Sequence, residues 1–259
     1  MISGSEVQQL VNGLLALVLP FVRIMALLQF SPVLDNQAFS RRSKVALALA
    51  LTAVMGPILP PYPLPEIFFS LHTLLLVGEQ ILWGVLFGMA LQLVFVALQT
   101  AGHILSMNMG LGMAMMNDPV NGNSTTVISQ VIFIFCALLF FSLDGHLLVV
   151  TILYKGFIYW PPGQAINTPT LMMLVESLGW IMASATLIAL PTTFVMLIVQ
   201  GGFGLLNRIS PTLNLFSLGF PVSMLFGLLC VAMMMSNIPE HYLNLTNEIL
   251  AKLEAIRTY

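Results

Sequence analysis

Charged side chains are scarce in this chain of 259 residues. Only 7% of the residues are Asp, Glu, Lys or Arg, whereas a typical soluble domain has about 25%. The net charge is −2 and no run of like charges occurs, which argues against a nucleic-acid interface or a basic membrane-binding patch. Hydrophobic residues instead make up 58% of the chain, and the mean hydropathy is +0.98. This composition predicts a polytopic membrane protein.

The residue patterns of common catalytic and metal sites are also missing. Cys136 and Cys230 lie inside apolar runs without CxxC spacing, so we interpret them as buried thiols. The sequence has no H-E-x-x-H motif, no G-x-S-x-G motif and no nucleotide-binding loop. Asp144 and His146 superficially suggest a dyad, but a hydrogen-bonded helix break explains them better. We therefore expect no enzymatic activity, no metal and no cofactor.

Six apolar runs predict an all-α membrane protein with a single membrane domain over residues 1–259. About six long, partly broken helical segments should form hairpins, because roughly 20 residues cross a bilayer. The third and fifth runs exceed that length, and the polar residues 142–146 indicate a break in the fourth. Residues 240–259 show the period of an amphipathic helix. The runs are 7–30, 44–59, 67–100, 127–153, 171–206 and 213–237.

The chain's basic cluster follows the first run, at Arg41, Arg42 and Lys44. The positive-inside rule therefore places this first loop in the cytoplasm and the N-terminus outside. Counting six crossings onward puts the loop around residue 110 on the cytoplasmic side and the C-terminus outside.

Two ionisable residues, Arg23 and Glu79, lie inside apolar runs, where an unpaired charge is costly. Helix rise places them about 24 Å and 18 Å from the outer face, so we predict that they form an intramembrane ion pair. The alternative for Arg23 is that its side chain extends to the nearby membrane rim. Gly84 and Gly88 have the spacing at which membrane helices pack closely.

Residues 106–126 form the one long segment that is too rich in Gly, Asn and Pro for a stable helix. Asp118 is its only charge, so we expect it to lie against protein inside a lumen or cavity. Methionines and glycines are concentrated in this segment, so we interpret it as the working part of the chain. Alternatively, the methionines merely pack against neighbouring helices. The candidate site residues are Met107, Met109, Gly110, Gly112, Met113, Met115, Met116, Asp118 and Pro119.

Residues 207–221 read N-R-x-x-P-x-x-N-x-F-x-x-G-F-P, and this run resembles the signature of the FliR family of bacterial flagellar biosynthesis proteins. The family has counterparts in virulence-type type III secretion systems. Further similar places are 21–23, 78–88, 112–119 and 144–146, although Phe39 and Ser40 stand where the family often has a proline. The signature residues are Asn207, Arg208, Pro211, Asn214, Phe216, Gly219, Phe220 and Pro221.

The resemblance implies a subunit of the flagellar export gate in the bacterial inner membrane, at the flagellar basal body. Members assemble with FliP-like and FliQ-like subunits, together with FlhB-like and FlhA-like components, and pass unfolded proteins through a central pore. Their loop between the third and fourth hydrophobic regions forms part of the plug that closes this pore. The resemblance therefore implies that residues 106–122 here form a candidate plug loop, in which the methionines seal the pore and the glycines provide hinges. Two alternatives stay open: an injectisome counterpart, and a small-solute secondary transporter, which should show inverted repeats and midplane polar ligands.

Overall fold

The protein is all-α apart from one short hairpin. A computed structural model describes residues 4–34, 40–59, 62, 70–111, 115–117, 124–163, 168–209 and 215–257. Those residues form eight α-helices and one turn of 3₁₀-helix, Gly56–Ile58. The helices are α1 (Gly4–Phe30), α2 (Arg41–Met55), α3 (Leu71–Asn108), α4 (Val127–Ser142), α5 (Gly145–Tyr159), α6 (Thr168–Ile209), α7 (Leu215–Met235) and α8 (Ile238–Arg257).

The break predicted in the fourth apolar run lies between α4 and α5. The backbone N–H of Leu143 closes α4 on the carbonyl oxygen of Leu139 at 2.8 Å. Asp144 then adopts a left-handed conformation, with φ of 55°, and α5 begins at Gly145. A short polar residue such as Asp tolerates this conformation better than the apolar residues around it.

The third and fifth runs form two unusually long continuous helices. α3 has 38 residues, and α6 has 42 residues and continues through Pro191. At 1.5 Å per residue they extend about 57 Å and 63 Å, roughly twice the thickness of a hydrocarbon core. Both helices are therefore longer than a straight crossing requires.

The described residues contain between two and four candidate membrane spans. Among the described residues, Leu71–Asn108 and Val175–Ile209 are long and apolar enough to cross a membrane. The number rises to four if α4 with α5, and α7 with α8, each count as one broken span.

The chain divides into two compact units, which we describe separately. Unit 1 comprises Met1–Gln92, Asp144–Leu174 and Lys252–Tyr259, and unit 2 comprises Leu93–Leu143 and Val175–Ala251. In unit 1, α2 packs on α1 through one buried stripe at helical spacing, formed by Lys44, Ala48, Thr52 and Met55.

Phe95 lies in the core of unit 2. Its ring makes edge contacts with Phe133, Phe140 and Tyr242, at centroid distances of 5.8, 6.2 and 6.1 Å. The Ser129 hydroxyl donates to the Gln99 carbonyl oxygen at 2.9 Å and so joins α4 to α3. These contacts build unit 2 around the second half of α3.

The segment predicted to be irregular is partly regular. α3 continues to Asn108, so the first residues of the predicted loop are helical. Two strands, β1 (Met115–Asn117) and β2 (Ser124–Thr126), pair antiparallel with Met115 opposite Thr126. The connecting sequence is rich in Asp, Pro, Asn and Gly, and Thr residues favour strands, which is consistent with a hairpin.

Candidate functional site

Arg23 is completely buried in unit 1 and holds the end of α5. Its guanidinium donates to the carbonyl oxygen of Gly156 at 3.1 Å and to that of Trp160 at 2.9 Å. The guanidinium carbon also lies 4.3 Å from the centre of the Phe157 ring. The last carbonyls of a helix lack partners within the helix and carry partial negative charge, so a buried cation is stabilised there.

Glu79 contacts the same part of the chain but does not bond to Arg23. Its carboxylate accepts from the backbone N–H of Gly163 at 3.1 Å and from the Gln80 amide at 3.2 Å. Neither side chain bonds to the other in the described structure, so the predicted ion pair is not a direct contact. The two terminal nitrogens of the guanidinium donate instead to carbonyl oxygens at the end of α5.

Gly84 and Gly88 lie against α1. A Cβ atom built on Gly84 would lie 2.6 Å from Cβ of Ala26, and one on Gly88 would lie 2.8 Å from the carbonyl oxygen of Leu27. Real Cβ atoms do not approach this closely, so both positions require glycine for the backbones of α1 and α3 to approach as they do.

Several unit 1 residues contribute although sequence reasoning missed them. Trp83 stacks on Trp160 with ring centroids 5.0 Å apart, and Gly156 leaves room for the ring of Phe87. The Tyr62 hydroxyl, between α2 and α3, donates to the carbonyl oxygen of Ala16 at 2.9 Å. Burial raises the pKa of Tyr62 to about 12 despite the opposing effect of Arg23, so its hydroxyl stays a donor.

The methionines at the start of the candidate plug loop have contrasting surroundings in unit 2. Met107 is 56% exposed, whereas Met109 is 1% exposed and packs against Gly227 of α7. Met115 and Met116 belong to β1. Gly112, Met113, Asp118 and Pro119 lie outside the described residues. Packing inside the chain therefore accounts for Met109, as the alternative prediction proposed.

Asn108, between those two methionines, was not singled out from the sequence. Its side-chain amide donates to Oγ1 of Thr193 at 2.8 Å, and its backbone carbonyl accepts from the Gln200 amide at 2.7 Å. Both partners belong to α6. A polar residue at the end of an apolar helix is the only sequence signal that could have indicated it.

The signature residues lie at the end of α6 and the start of α7. Asn207 and Arg208 are exposed in the last turn of α6, while Gly219, Phe220 and Pro221 lie in α7. Phe216 also lies in α7, whereas Pro211 and Asn214 fall outside the described residues. A Cβ built on Gly110 would lie 3.3 Å from the Phe220 ring. The signature thus contacts the start of the plug loop within unit 2.

Residues 14–249 match the family model described as bacterial export proteins, family 1. The chain belongs to this family. Arg23, Glu79, the plug loop and the signature all fall inside the matched region, and the resemblance inferred from the signature is confirmed.

Relatives in this export family are similar over almost the whole chain. The flagellar biosynthetic protein FliR of Pectobacterium carotovorum subsp. carotovorum is 32% identical, with 92% of this chain and 91% of the relative covered. FliR of Escherichia coli K12 is also 32% identical, with 89% and 88% covered. The Yop proteins translocation protein T of Yersinia pestis is 27% identical, with 85% and 88% covered.

Proposed function

We propose that this chain is a subunit of the flagellar type III export gate. In this proposal it lies in the bacterial inner membrane at the flagellar basal body, where it forms part of the channel for unfolded flagellar proteins. The supporting observation is that two flagellar biosynthetic relatives are 32% identical over about nine-tenths of their length and of this chain.

The exposed surface of α6 supports a role inside an assembly. In the most apolar stretch of Val175–Ile209, only 33% of the residues are buried, whereas 67% are buried in the corresponding stretch of α3. Large apolar side chains exposed in water are costly, so this surface requires lipid or other membrane subunits. We propose FliP-like and FliQ-like subunits as direct partners, with FlhB-like and FlhA-like components nearby. The most exposed side chains include Leu187, Phe194, Leu197, Ile198 and Leu205.

Within the gate, we propose that residues 106–122 close the pore at rest. Such a closure must yield to varied side chains and still exclude ions, and the flexible thioether of Met suits both demands. Met107 is exposed, as a sealing residue must be, and Met113, Met115 and Met116 complete the proposed seal. Gly110 has a φ of 77°, a conformation that favours glycine, and it supplies the hinge. The Asp118-Pro119 sequence is typical of a turn.

A virulence-type export apparatus is the second candidate, because the Yersinia relative is 27% identical over 85% of this chain. Gene deletion in the native bacterium separates the two. Loss of flagellin and hook protein from the medium, restored by the gene, supports the flagellar gate. Loss of injected effector proteins with normal flagellin export supports the injectisome, and normal export of both contradicts both proposals.

Partner binding provides a second test. The tagged full-length chain, extracted in mild detergent from its native membrane, should co-purify with two other small membrane proteins in a stable complex. A monomer that binds a small solute would instead support the secondary transporter.

A further inference from the structure

Three consecutive residues at the end of α3 each contact a different partner in unit 2. Asn108 bonds to α6, Met109 packs on Gly227 of α7, and Gly110 lies beside Phe220 of α7. The other proposed sealing residues, from Met113 to Met116, follow them in the sequence. The end of α3, from which the loop begins, is therefore held by both α6 and α7.

The contacts of Asn108 solve a problem common to helix ends. The last carbonyls of a helix have no partner within the helix. The Met107 carbonyl accepts from the N–H of Gly110 at 3.1 Å, and the Asn108 carbonyl accepts from Gln200 instead. The Gln200 side chain of α6 thus caps the end of α3.

Thr193 and Gln200 are seven residues apart, which is about two turns of helix, so they share one face of α6. One bond holds the side chain of Asn108 and the other holds its backbone, at 2.8 Å and 2.7 Å. Two bonds to one residue from one face restrict rotation of the helix end as well as its translation. The bond to Thr193 is partly buried, so its loss should weaken the attachment of the end of α3 to α6 by the usual contribution of a neutral hydrogen bond.

We infer that Asn108 is a positioning residue for the plug loop, and we name Asn108, Thr193 and Gln200 the Asn108 clamp. The clamp fixes the end of α3 on α6, and Gly110, with a φ of 77°, provides the hinge just after it. This inference rests on the proposed plug role of residues 106–122. Beyond that role, we infer that α6, through the clamp, determines the position from which the loop leaves α3.

Thr193 offers a matched pair of variants. Thr193→Val keeps the side-chain volume and removes the hydroxyl that accepts the Asn108 bond, whereas Thr193→Ser keeps the hydroxyl. Spin labels at His103→Cys and Val195→Cys, both exposed positions outside the proposed seal, report the distance between α6 and the last turns of α3 in the purified export complex. A sample without these two cysteines controls for labelling of Cys136 and Cys230.

The inference predicts a broadened or shifted label distance in Thr193→Val and a wild-type distance in Thr193→Ser. In cells carrying unlabelled complexes, Thr193→Val should raise resting ion leakage roughly twofold to tenfold, the factor that one neutral hydrogen bond contributes to an equilibrium. Thr193→Ser should not raise it. A wild-type label distance in Thr193→Val overturns the inference.

A triple variant separates this inference from the plug proposal. Met113→Ser, Met115→Ser and Met116→Ser leave the clamp intact and remove the proposed seal. If the triple variant leaks while Thr193→Val shifts the label distance without leaking, the positioning role is overturned. If the triple variant does not leak, the plug proposal fails, and the label distances alone then decide whether the clamp exists.

Discussion

The guanidinium of Arg23 in α1 donates a 2.9 Å hydrogen bond to the carbonyl oxygen of Trp160, 137 residues away in the sequence. A second bond reaches Gly156, and the Glu79 carboxylate accepts from Gly163. Two oppositely charged side chains thus hold one stretch of backbone from two helices. The charge of Arg23, inside the first apolar run, thus joins α1 to the end of α5, which is distant in the sequence.

Replacing Arg23 should destabilise unit 1. Arg23→Met retains much of the apolar volume and removes both hydrogen bonds, each worth about 1.5–3 kcal/mol for a charged donor. We expect the free energy of unfolding to fall by about 3 kcal/mol or more, measured by circular dichroism during thermal unfolding in detergent. Arg42→Met, at an exposed position, should leave the midpoint temperature of thermal unfolding unchanged. Equal midpoints for the two variants would contradict the structural role of Arg23.

Substitutions of Glu79 distinguish a backbone anchor from an ion pair. Glu79→Gln removes the charge but keeps an oxygen that accepts from Gly163, so most of the stability should remain. Glu79→Leu removes the acceptor and should cost about 0.5–1.5 kcal/mol, the usual net contribution of a hydrogen bond, because the Gly163 donor is exposed. Thermal midpoints of the purified chain provide the measurement. If Glu79→Gln is as damaging as Glu79→Leu, the charge matters more than the bond to Gly163.

The close approach of α1 and α3 predicts a strong effect of alanine at Gly84. The added Cβ would meet the backbone and Ala26 of α1, so Gly84→Ala should destabilise the chain by about 1–3 kcal/mol, as is typical of overpacking. Gly78→Ala is the control in the same helix, because nothing lies within 4 Å of its Cβ position. It should be neutral or slightly stabilising, since alanine favours helix. The ratio of folded to aggregated protein after extraction would reveal the same contrast.

The contact between Met109 and Gly227 predicts coupled substitutions. Gly227→Ala alone should cost about 1–3 kcal/mol, because its Cβ would lie 2.8 Å from Cε of Met109. Gly227→Ala should cost less in a Met109→Ala background, where the space is vacant. A double-mutant cycle on unfolding free energies measures this coupling. Strict additivity would show that the two residues do not press against each other in the folded chain.

Removal of the proposed seal should increase leakage without preventing assembly. The triple Met→Ser variant at Met113, Met115 and Met116 should raise ion permeability of resting cells, because serine neither fills gaps nor excludes water as methionine does. Pull-down of the complex controls for assembly. Unchanged permeability in assembled complexes would remove the plug proposal.

The sequence predicts much of the fold because the helices are long and apolar. The period and length of the runs indicated the all-α class, and the polar residues around Asp144 indicated the break before α5. The signature at 207–221 identified the family. The number of crossings stays a prediction, because apolar length alone does not distinguish a crossing helix from a short packed helix such as α2.

The site was harder to predict because its contacts join distant parts of the chain. Helix depth suggested that Arg23 pairs with Glu79, but depth cannot indicate that the end of α5 lies closer to the guanidinium. Asn108 likewise gains its role from Thr193, 85 residues further along. The hairpin of β1 and β2 depends on strand pairing, which no short apolar pattern encodes.

The stacking of Trp83 on Trp160 provides an intrinsic spectroscopic probe of the packing of α3 against α5. The chain has three tryptophans, and the third, Trp180, lies in unit 2. Two indoles 5.0 Å apart and inclined by 27° should couple their ultraviolet transitions into an exciton couplet. That couplet would record whether α3 and α5 are docked in native membranes, with no label, and Trp180→Phe would remove the background from the other unit.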